Sequence, residues 1–166
     1  MNPNDFRSAL EKIFQEIEIN LEQTALERLT AYQERIAAHN PTLRLTAISD
    51  TDAPLLNFAD SLCALRYLED AGRICDVGAG AGFPGLALAI AAPDRQFTLL
   101  DSLNKRVAFL NDTIAALGLQ NVQALHLRAE EAGQDPAFRS QFDLAVARAV
   151  APCRVLYEYM LPLLRI

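Results

Sequence analysis

The stretch DVGAGAGFPG, residues 76–85, constrains the fold of this chain more than any other part of its sequence. It follows a short apolar run at 73–77 and leads into another apolar run that begins at Leu86. Four glycines lie within eight positions, and glycine lets a backbone turn sharply and approach another group closely. The order strand, glycine turn, helix is typical of the nucleotide-binding half of a parallel α/β sheet.

The rest of the C-terminal part repeats this alternation of strands and helices. The predicted strands are 73–77, 96–101, 122–127 and 142–146, and the predicted helices cover 86–92, 104–117 and 152–164. Helices of this length between strands indicate parallel βαβ units and a doubly wound, Rossmann-like α/β sheet. Ligands of such sheets bind beyond the carboxyl ends of the strands, where these glycines are expected to lie.

The N-terminal part has a helical pattern without strands. Apolar residues recur at helical spacing over 6–17 and 21–39, and a third helix is expected over about 54–68. Asn40-Pro41 is expected to end the second helix, because the residue before a proline disfavours helical geometry. We therefore expect a helical cap at 1–70 and a sheet-containing core at 71–166, packed as one compact unit.

Composition and charge narrow the function classes. The net charge is −6, and the whole excess of acidic residues lies in residues 1–72. An acidic chain is an unusual nucleic-acid binder, so any such role must depend on a local basic patch. Three widely spaced cysteines and two histidines argue against a zinc site, and no metal is expected. The absence of a signal-like or membrane-length apolar run favours a cytoplasmic protein.

The glycine stretch alone is compatible with more than one cofactor. GAGFPG satisfies the dinucleotide pattern GxGxxG, and Asp101 follows Gly80 by 21 residues. However, Pro84 removes an N–H group that a pyrophosphate would need, and the carboxylate of Asp76 would repel it. A P-loop is excluded because no GK[ST] follows. An acidic residue at this place suits a cationic ligand such as S-adenosylmethionine.

The acidic residues at the strand ends predict how that cofactor would be held. Asp76 would face its ammonium group, directly or through water, while Gly78, Gly80 and Gly82 would let the backbone approach the methionyl part. The carboxylate of Asp101 can accept hydrogen bonds from both ribose hydroxyls. Ala129 and Glu130, just past the third strand, would lie near the adenine.

Several segments together are similar to one known family. DVGAGAGFPGLALAI, FTLLDSLNKRVAFLNDTIAALGL, RAEE and FDLAVARAVAP, with LRLTAI and NFADSL upstream, resemble the bacterial 16S ribosomal RNA guanine-N7 methyltransferases, the glucose-inhibited division protein B family. The likeness covers about residues 20–164. It implies a methyltransferase sheet with an N-terminal helical cap, and methyl transfer from S-adenosylmethionine to N7 of a guanine in 16S rRNA. The implied cofactor contacts are Gly78, Phe83, Ala129, Glu130 and Arg148.

The chain also departs from that family. Arg44-Leu45-Thr46 replaces the usual Asn-Leu-Thr, and Asn57-Phe58 stands where an Arg-His pair is usual. Members continue beyond Leu164 with further strands, so the C-terminal strands are expected to be missing here. The implied partner is 16S rRNA within the 30S subunit, and the expected state is a monomer without membrane contact.

Roles for other residues remain open at this stage. Lys105 and Arg106 are candidate RNA phosphate contacts, and Arg148 is a candidate for positioning the guanine. Cys153 follows a proline, as in carbon-5 methyltransferases, but an inert helix cysteine is the favoured reading. Two alternatives to the rRNA methyltransferase remain. They are a nicotinamide-dependent oxidoreductase and a non-catalytic RNA-binding module on a methyltransferase scaffold.

Overall fold

The computed structural model describes residues 1–165 as one α/β unit in which helices precede a parallel sheet. In chain order the elements are α1 (Pro3–Glu16), α2 (Gln23–Leu43), α3, β1 (Arg73–Val77), α4 (Gly85–Ala91), β2 (Gln96–Asp101), α5 (Asn104–Ala116), β3 (Val122–His126), α6 (Ala129–Ala132), β4 (Leu144–Val146) and α7 (Cys153–Met160). The α3 segment joins a π-helical stretch, Pro54–Ala59, to an α-helical turn, Asp60–Leu62, and a 3₁₀ stretch, Cys63–Tyr67. A short 3₁₀ turn, Leu161–Leu163, follows α7.

The four strands form one parallel sheet with the order β3-β2-β1-β4. β1 is central: Asp76 is in register with Leu99 of β2 and with Val146 of β4. β1 and β2 are short and mostly buried. This pattern is typical of a parallel sheet with both faces covered by helices. The predicted doubly wound α/β fold with a helical cap is confirmed.

Helices cover the sheet on both faces. One apolar core joins α1, α2 and α3 to α4, α5 and one face of the sheet. A smaller core on the other face joins Cys75 and Val77 of β1 to α6 and to Phe142 and Leu163. The cap therefore shares its core with the sheet.

The second helix passes the point at which the sequence predicted its end. α2 continues through Pro41 to Leu43, so the expected stop at Asn40-Pro41 was wrong. Because Pro41 has no N–H group, it removes one backbone hydrogen bond from the last turn of α2. Asn40 stabilises the same region by bonding to the loop that follows. Its side chain donates to the carbonyl of Thr46 and accepts from the amide of Thr46, each at 3.0 Å.

Among residues 1–165, no helix combines the length and the apolar character needed to cross a membrane.

The C-terminal strand is shorter than predicted. β4 begins at Leu144 rather than at Phe142, because Phe142 instead forms an isolated parallel bridge with Leu164. Asp143 turns back to β1: its Oδ2 accepts from the amides of Gly72 and Arg73 at 3.0 and 2.8 Å. These hydrogen bonds, led by the one from Arg73, lower the pKa of Asp143. The residue before β4 is thus held to the start of β1 by its side chain and by its own amide, which donates to the carbonyl of Arg73 at 2.9 Å.

Candidate functional site

The glycine turn, residues 78–85, lies over the carboxyl ends of β1 and β2. The amides of Gly78 and Ala79 both donate to the carbonyl of Leu100, at 2.8 and 2.9 Å. Gly78 has φ +73°, and a Cβ there would lie 2.5 Å from a methyl group of Val150. Only glycine allows this backbone path and this close approach. The sequence therefore places bare backbone at the predicted ligand edge of the sheet.

The Asp101 carboxylate holds the turn from the end of β2. Oδ2 accepts from the amide of Gly80 and Oδ1 from the amide of Leu103, both at 2.8 Å. The guanidinium of Arg106 lies 3.7 Å from Oδ2. Asp101 is 3% exposed, yet it lines a cavity. Each oxygen keeps a second lone pair, so the carboxylate can still accept from a ligand.

Asp76 occupies a different environment from Asp101. Its side chain is fully buried behind the glycine turn, and Oδ2 accepts from the amide of Gly85 at 2.8 Å. Oδ1 has no hydrogen-bond partner among residues 1–165. Burial raises the pKa of Asp76 to about 7, although the bond from Gly85 and the charge of Arg148 oppose the rise. Asp76 lines neither cavity at this edge, and its predicted contact with a ligand ammonium, directly or through water, stays a prediction.

Arg148, just after β4, ties the sheet to the cap. Its Nη1 donates to the carbonyl of Leu56 at 2.7 Å and to Oδ2 of Asp60 at 3.1 Å. Its Nη2 donates to Oδ1 of Asn57 at 3.1 Å, and its guanidinium carbon lies 5.2 Å from the ring centroid of Phe83. The bond from Arg148 gives the buried Oδ1 of Asn57 a donor.

The cap also supports the glycine turn from beneath. Tyr32 of α2 is fully buried and donates its hydroxyl hydrogen to the carbonyl of Ala81. A Cβ on Gly82 would collide with that hydroxyl group, which explains glycine at a position with φ +106°. Gly82 therefore packs against the cap, and it lines neither cavity.

Two cavities meet at Gly78. The first, about 540 Å³, lies between the cap and the glycine turn. Its lining consists of Leu45, Thr46, Ala47, Ile48, Leu56, Asp60, Gly78, Ala79, Gly80, Ala81, Phe83, Arg106, Arg148 and Ala149. The second, about 240 Å³, lies over the ends of β2 and β3. Its lining consists of Val77, Gly78, Leu100, Asp101, Ser102, Leu127, Arg128, Ala129, Glu130, Val150, Ala151 and Tyr159.

Most of the predicted site residues come together at these two cavities. Gly78, Gly80, Phe83, Arg106 and Arg148 line the first cavity, and Gly78, Asp101, Ala129 and Glu130 line the second. The predicted residues outside both linings are Asp76, Gly82 and Lys105, the last of which is exposed on α5.

Sequence reasoning missed the contribution of the cap to the first cavity. The loop at 45–48, Leu56 and Asp60 form its outer wall. The segments LRLTAI and NFADSL, which carry part of the family likeness, were the available signal for them. The loop that follows β4 was missed as well. Ala149 has φ +56° and lines the first cavity, and Val150 lies against Gly78 and lines the second.

Two further features bear on the chemistry. Within residues 1–165 there is no group of three or more acidic, histidine or cysteine side chains placed to hold a metal ion. Cys153 is exposed and lines a groove with Leu156 and Tyr157 of α7; Asp60 and Arg148 border both this groove and the first cavity, but Cys153 lines neither of the two cavities. The geometry thus provides backbone, carboxylate and guanidinium groups around an open cleft.

Comparison with known proteins decides the family. Residues 25–166 match the family model GidB, rRNA small subunit methyltransferase G. The chain belongs to this family. Proteins named ribosomal RNA small subunit methyltransferase G from Alkaliphilus metalliredigens and Streptococcus thermophilus are 43% and 42% identical to it, over 92% and 100% of this chain. The chain spans 65% and 70% of the length of these two relatives.

Solved structures of low sequence identity share the fold. A putative caffeoyl-CoA O-methyltransferase from Staphylococcus aureus matches 96% of this chain and 68% of its own, with a TM-score of 0.60 and 14% identity. A branched-chain polyamine synthase from Thermus thermophilus matches 80% of this chain and 40% of its own, with a TM-score of 0.59 and 23% identity. These likenesses support the architecture of the sheet and its helices.

Proposed function

We propose that this family member binds S-adenosylmethionine and methylates N7 of a guanine in 16S ribosomal RNA. The observation that carries the proposal is the pair of cavities that meet at Gly78, one beside Asp101 and the other beneath the cap. One ligand that spans both would place its ribose at the carboxylate and its far end beside the glycine turn. Membership in the rRNA methyltransferase G family supplies the substrate class.

The residues present fit this cofactor. Asp101 retains acceptor capacity for ribose hydroxyls, and Ala129 with Glu130 borders the same cavity, where an adenine would lie. Gly78 and Gly80 offer backbone without side chains on the methionyl side. When bound, the cofactor supplies an activated methyl group on a positively charged sulfur.

The same geometry disfavours a dinucleotide. The amide of Gly85, at the start of α4, already donates to Asp76, so this N–H is not free for a pyrophosphate. A pyrophosphate at this place would also meet the buried carboxyl group of Asp76. Hence the oxidoreductase alternative loses the helix N-terminus on which it depends.

Methylation of guanine N7 requires the protein mainly to position the base and the methyl donor. N7 of guanine carries a lone pair and no proton, so its methylation needs no general base and no covalent intermediate. Arg148 and the apolar side chains of Leu45, Ile48 and Leu56 would hold and orient the base in the first cavity. Positioning of two reactants can supply much of the rate enhancement by itself. Cys153, which lines neither cavity, has no part in this scheme.

RNA contacts belong to the same proposal. Lys105 is exposed beside the cleft, while Arg106 points toward Asp101 and lines the first cavity. Lys105 is therefore the better candidate for a phosphate contact, and Arg106 for support of the cofactor carboxylate. Since the chain carries a net charge of −6, we expect the assembled 30S subunit to be a better substrate than naked rRNA. A monomer working in the cytoplasm fits this role.

Cofactor binding can be tested directly by titrating the chain with S-adenosylhomocysteine and, separately, with NAD. We expect binding of the first ligand alone. Asp101→Ala should weaken it by roughly tenfold or more, because a carboxylate that accepts two hydroxyl groups is lost. Cys153→Ser is the matched control and should bind like the unchanged chain. Binding of NAD would contradict the proposal. So would the absence of a calorimetric binding signal when folded protein is titrated with S-adenosylhomocysteine.

A further inference from the structure

The ion pair between Asp60 and Arg148 forms part of the outer wall of the first cavity. Asp60 lies at the junction of the π-helical and α-helical parts of α3, and Arg148 follows β4. Their charged groups lie 3.1 Å apart, and both side chains line the cavity that the glycine turn closes from the other side. A base that enters this cavity can therefore contact the pair.

The pair has unused hydrogen-bonding capacity. Arg148 has five N–H donors, and three bonds to Leu56, Asn57 and Asp60 leave one Nη2 hydrogen and the Nε hydrogen without partners among residues 1–165. Oδ1 of Asp60 accepts no hydrogen bond from the described residues, and the side chain is 61% exposed. The pair therefore has a free carboxylate oxygen on Asp60 and free guanidinium hydrogens on Arg148, on two side chains that an ion pair joins. The bonds from Arg148 to the cap fix their relative position.

This array matches one edge of guanine. The Watson–Crick edge of guanine presents an acceptor, O6, followed by two donors, N1–H and the N2 amino group. Adenine presents a donor and then an acceptor at the corresponding positions. We propose that Asp60 selects guanine by accepting from N1–H and N2–H, while Arg148 donates to O6. The inference rests on the proposed function and names the residue that reads the base.

The charge of Asp60 has a second consequence for the reaction. N7 lies on the neighbouring edge of the base, so it stays free when the Watson–Crick edge is bound. Methylation at N7 uses a lone pair, moves no proton and leaves a positive charge on the guanine ring. A carboxylate at N1–H and N2–H stabilises that developing charge. Asp60 thus acts on selection of the base and on the transition state.

Four nucleosides test the selection on the chain with S-adenosylhomocysteine bound. Guanosine has both donors, inosine lacks the amino group, 1-methylguanosine lacks N1–H, and adenosine has the opposite pattern. We expect guanosine to bind roughly tenfold or more tightly than 1-methylguanosine and adenosine, with inosine between them. In Asp60→Ala these differences should shrink to about twofold or less, with each chain measured at a saturating concentration of S-adenosylhomocysteine.

Two control variants distinguish the effect of the Asp60 charge from the effect of its hydrogen bonds. Binding of S-adenosylhomocysteine distinguishes failure of this inference from failure of the proposed function. Asp60→Asn keeps an acceptor for Arg148 and should lose more affinity for the cationic 7-methylguanosine than for guanosine. Asp94→Ala, which removes an exposed carboxylate next to Arg95, should change none of these affinities. A guanosine preference that survives in Asp60→Ala, or is missing from the unchanged chain, overturns the inference. Failure to bind S-adenosylhomocysteine at all overturns the proposed function, and the inference with it.

Discussion

At the scale of single residues, two aspartates that end neighbouring strands have separate tasks. Asp101 remains at the cavity surface with its charge balanced by backbone amides and Arg106. Asp76, one strand away, is sealed beneath the glycine turn and holds the first amide of α4. The sequence suggested that both would meet the ligand, because both lie at strand ends. Burial, which depends on how the turn folds back, distinguishes them.

The burial of Asp76 predicts a pH dependence of stability. Its pKa is about 7 in the folded chain and near 3.8 in the unfolded chain, so the folded state holds its proton more tightly. The resulting stabilisation is complete below about pH 4 and is lost as the pH rises to about 7. Relative to the unchanged chain, Asp76→Asn should gain stability over this window, by at most about 1.4 kcal/mol per pH unit. Urea unfolding of both chains at several pH values measures the difference. A pH-independent difference would contradict it.

At the scale of elements, short helices depend on side chains placed elsewhere. α4 has only seven residues, and Asn121, just before β3, closes its C-terminal end. The side-chain amide of Asn121 donates to the carbonyls of Ala89, Ala92 and Arg95 at 3.0 to 3.2 Å. The carbonyl of Ala92 also accepts from the amide of Arg95. Ala89, however, lies one turn before Pro93, which has no N–H to donate to it, so the Asn121 amide supplies a donor that the backbone lacks. One side chain thus fixes the helix that follows the glycine turn.

Asn121→Ala should therefore destabilise the chain by about 2 kcal/mol, since carbonyl groups would lose their only side-chain donor. Urea unfolding at constant pH measures the effect. Gln120→Ala is the neighbouring control and should change the free energy of unfolding by less than about 0.5 kcal/mol, because that side chain is exposed. Equal changes in the free energy of unfolding for the two substitutions would show that the hydrogen bonds of Asn121 do not stabilise the chain.

Elements with strong local patterns were predictable from the sequence, and contacts between distant segments were not. β1 and β2 occupy the predicted positions 73–77 and 96–101, because each is an apolar run bounded by turn residues. α6, with four residues, is too short to show helical periodicity. Asp60 and Arg148 are 88 positions apart, and no local pattern indicates that they meet. The ligand edge of the sheet was a prediction from the sequence, whereas the outer wall of the first cavity could be described only from the structure.

At the scale of the whole molecule, we expect the cap and the sheet to unfold as one unit. Buried residues of α1 and α2 belong to the same apolar core as those of α4 and α5. Polar links cross the same boundary: Tyr32 binds Ala81, and Arg35 pairs with Asp112 and donates to Thr113. Neither part keeps a complete core when the other unfolds.

Thermal unfolding should therefore be a single transition. Calorimetric and van't Hoff enthalpies should agree, and helix content followed by circular dichroism should change together with tyrosine fluorescence. The buried Tyr32 makes the fluorescence a reporter of the boundary between cap and sheet. Two separated transitions, or an early loss of helix signal alone, would show that the cap unfolds independently.

The contacts of Arg148 with the cap have a consequence for protein engineering. A chimera that joins the cap of one relative to the sheet of another would separate this guanidinium from the carbonyl, amide and carboxylate that hold it. The smallest exchangeable module is thus discontinuous: residues 56–60 have to travel with Arg148, and Tyr32 with the turn that it supports. A recombination point at the boundary near residue 70 would leave every helix and strand intact. It would still disrupt the contacts between Arg148 and the cap that shape the first cavity.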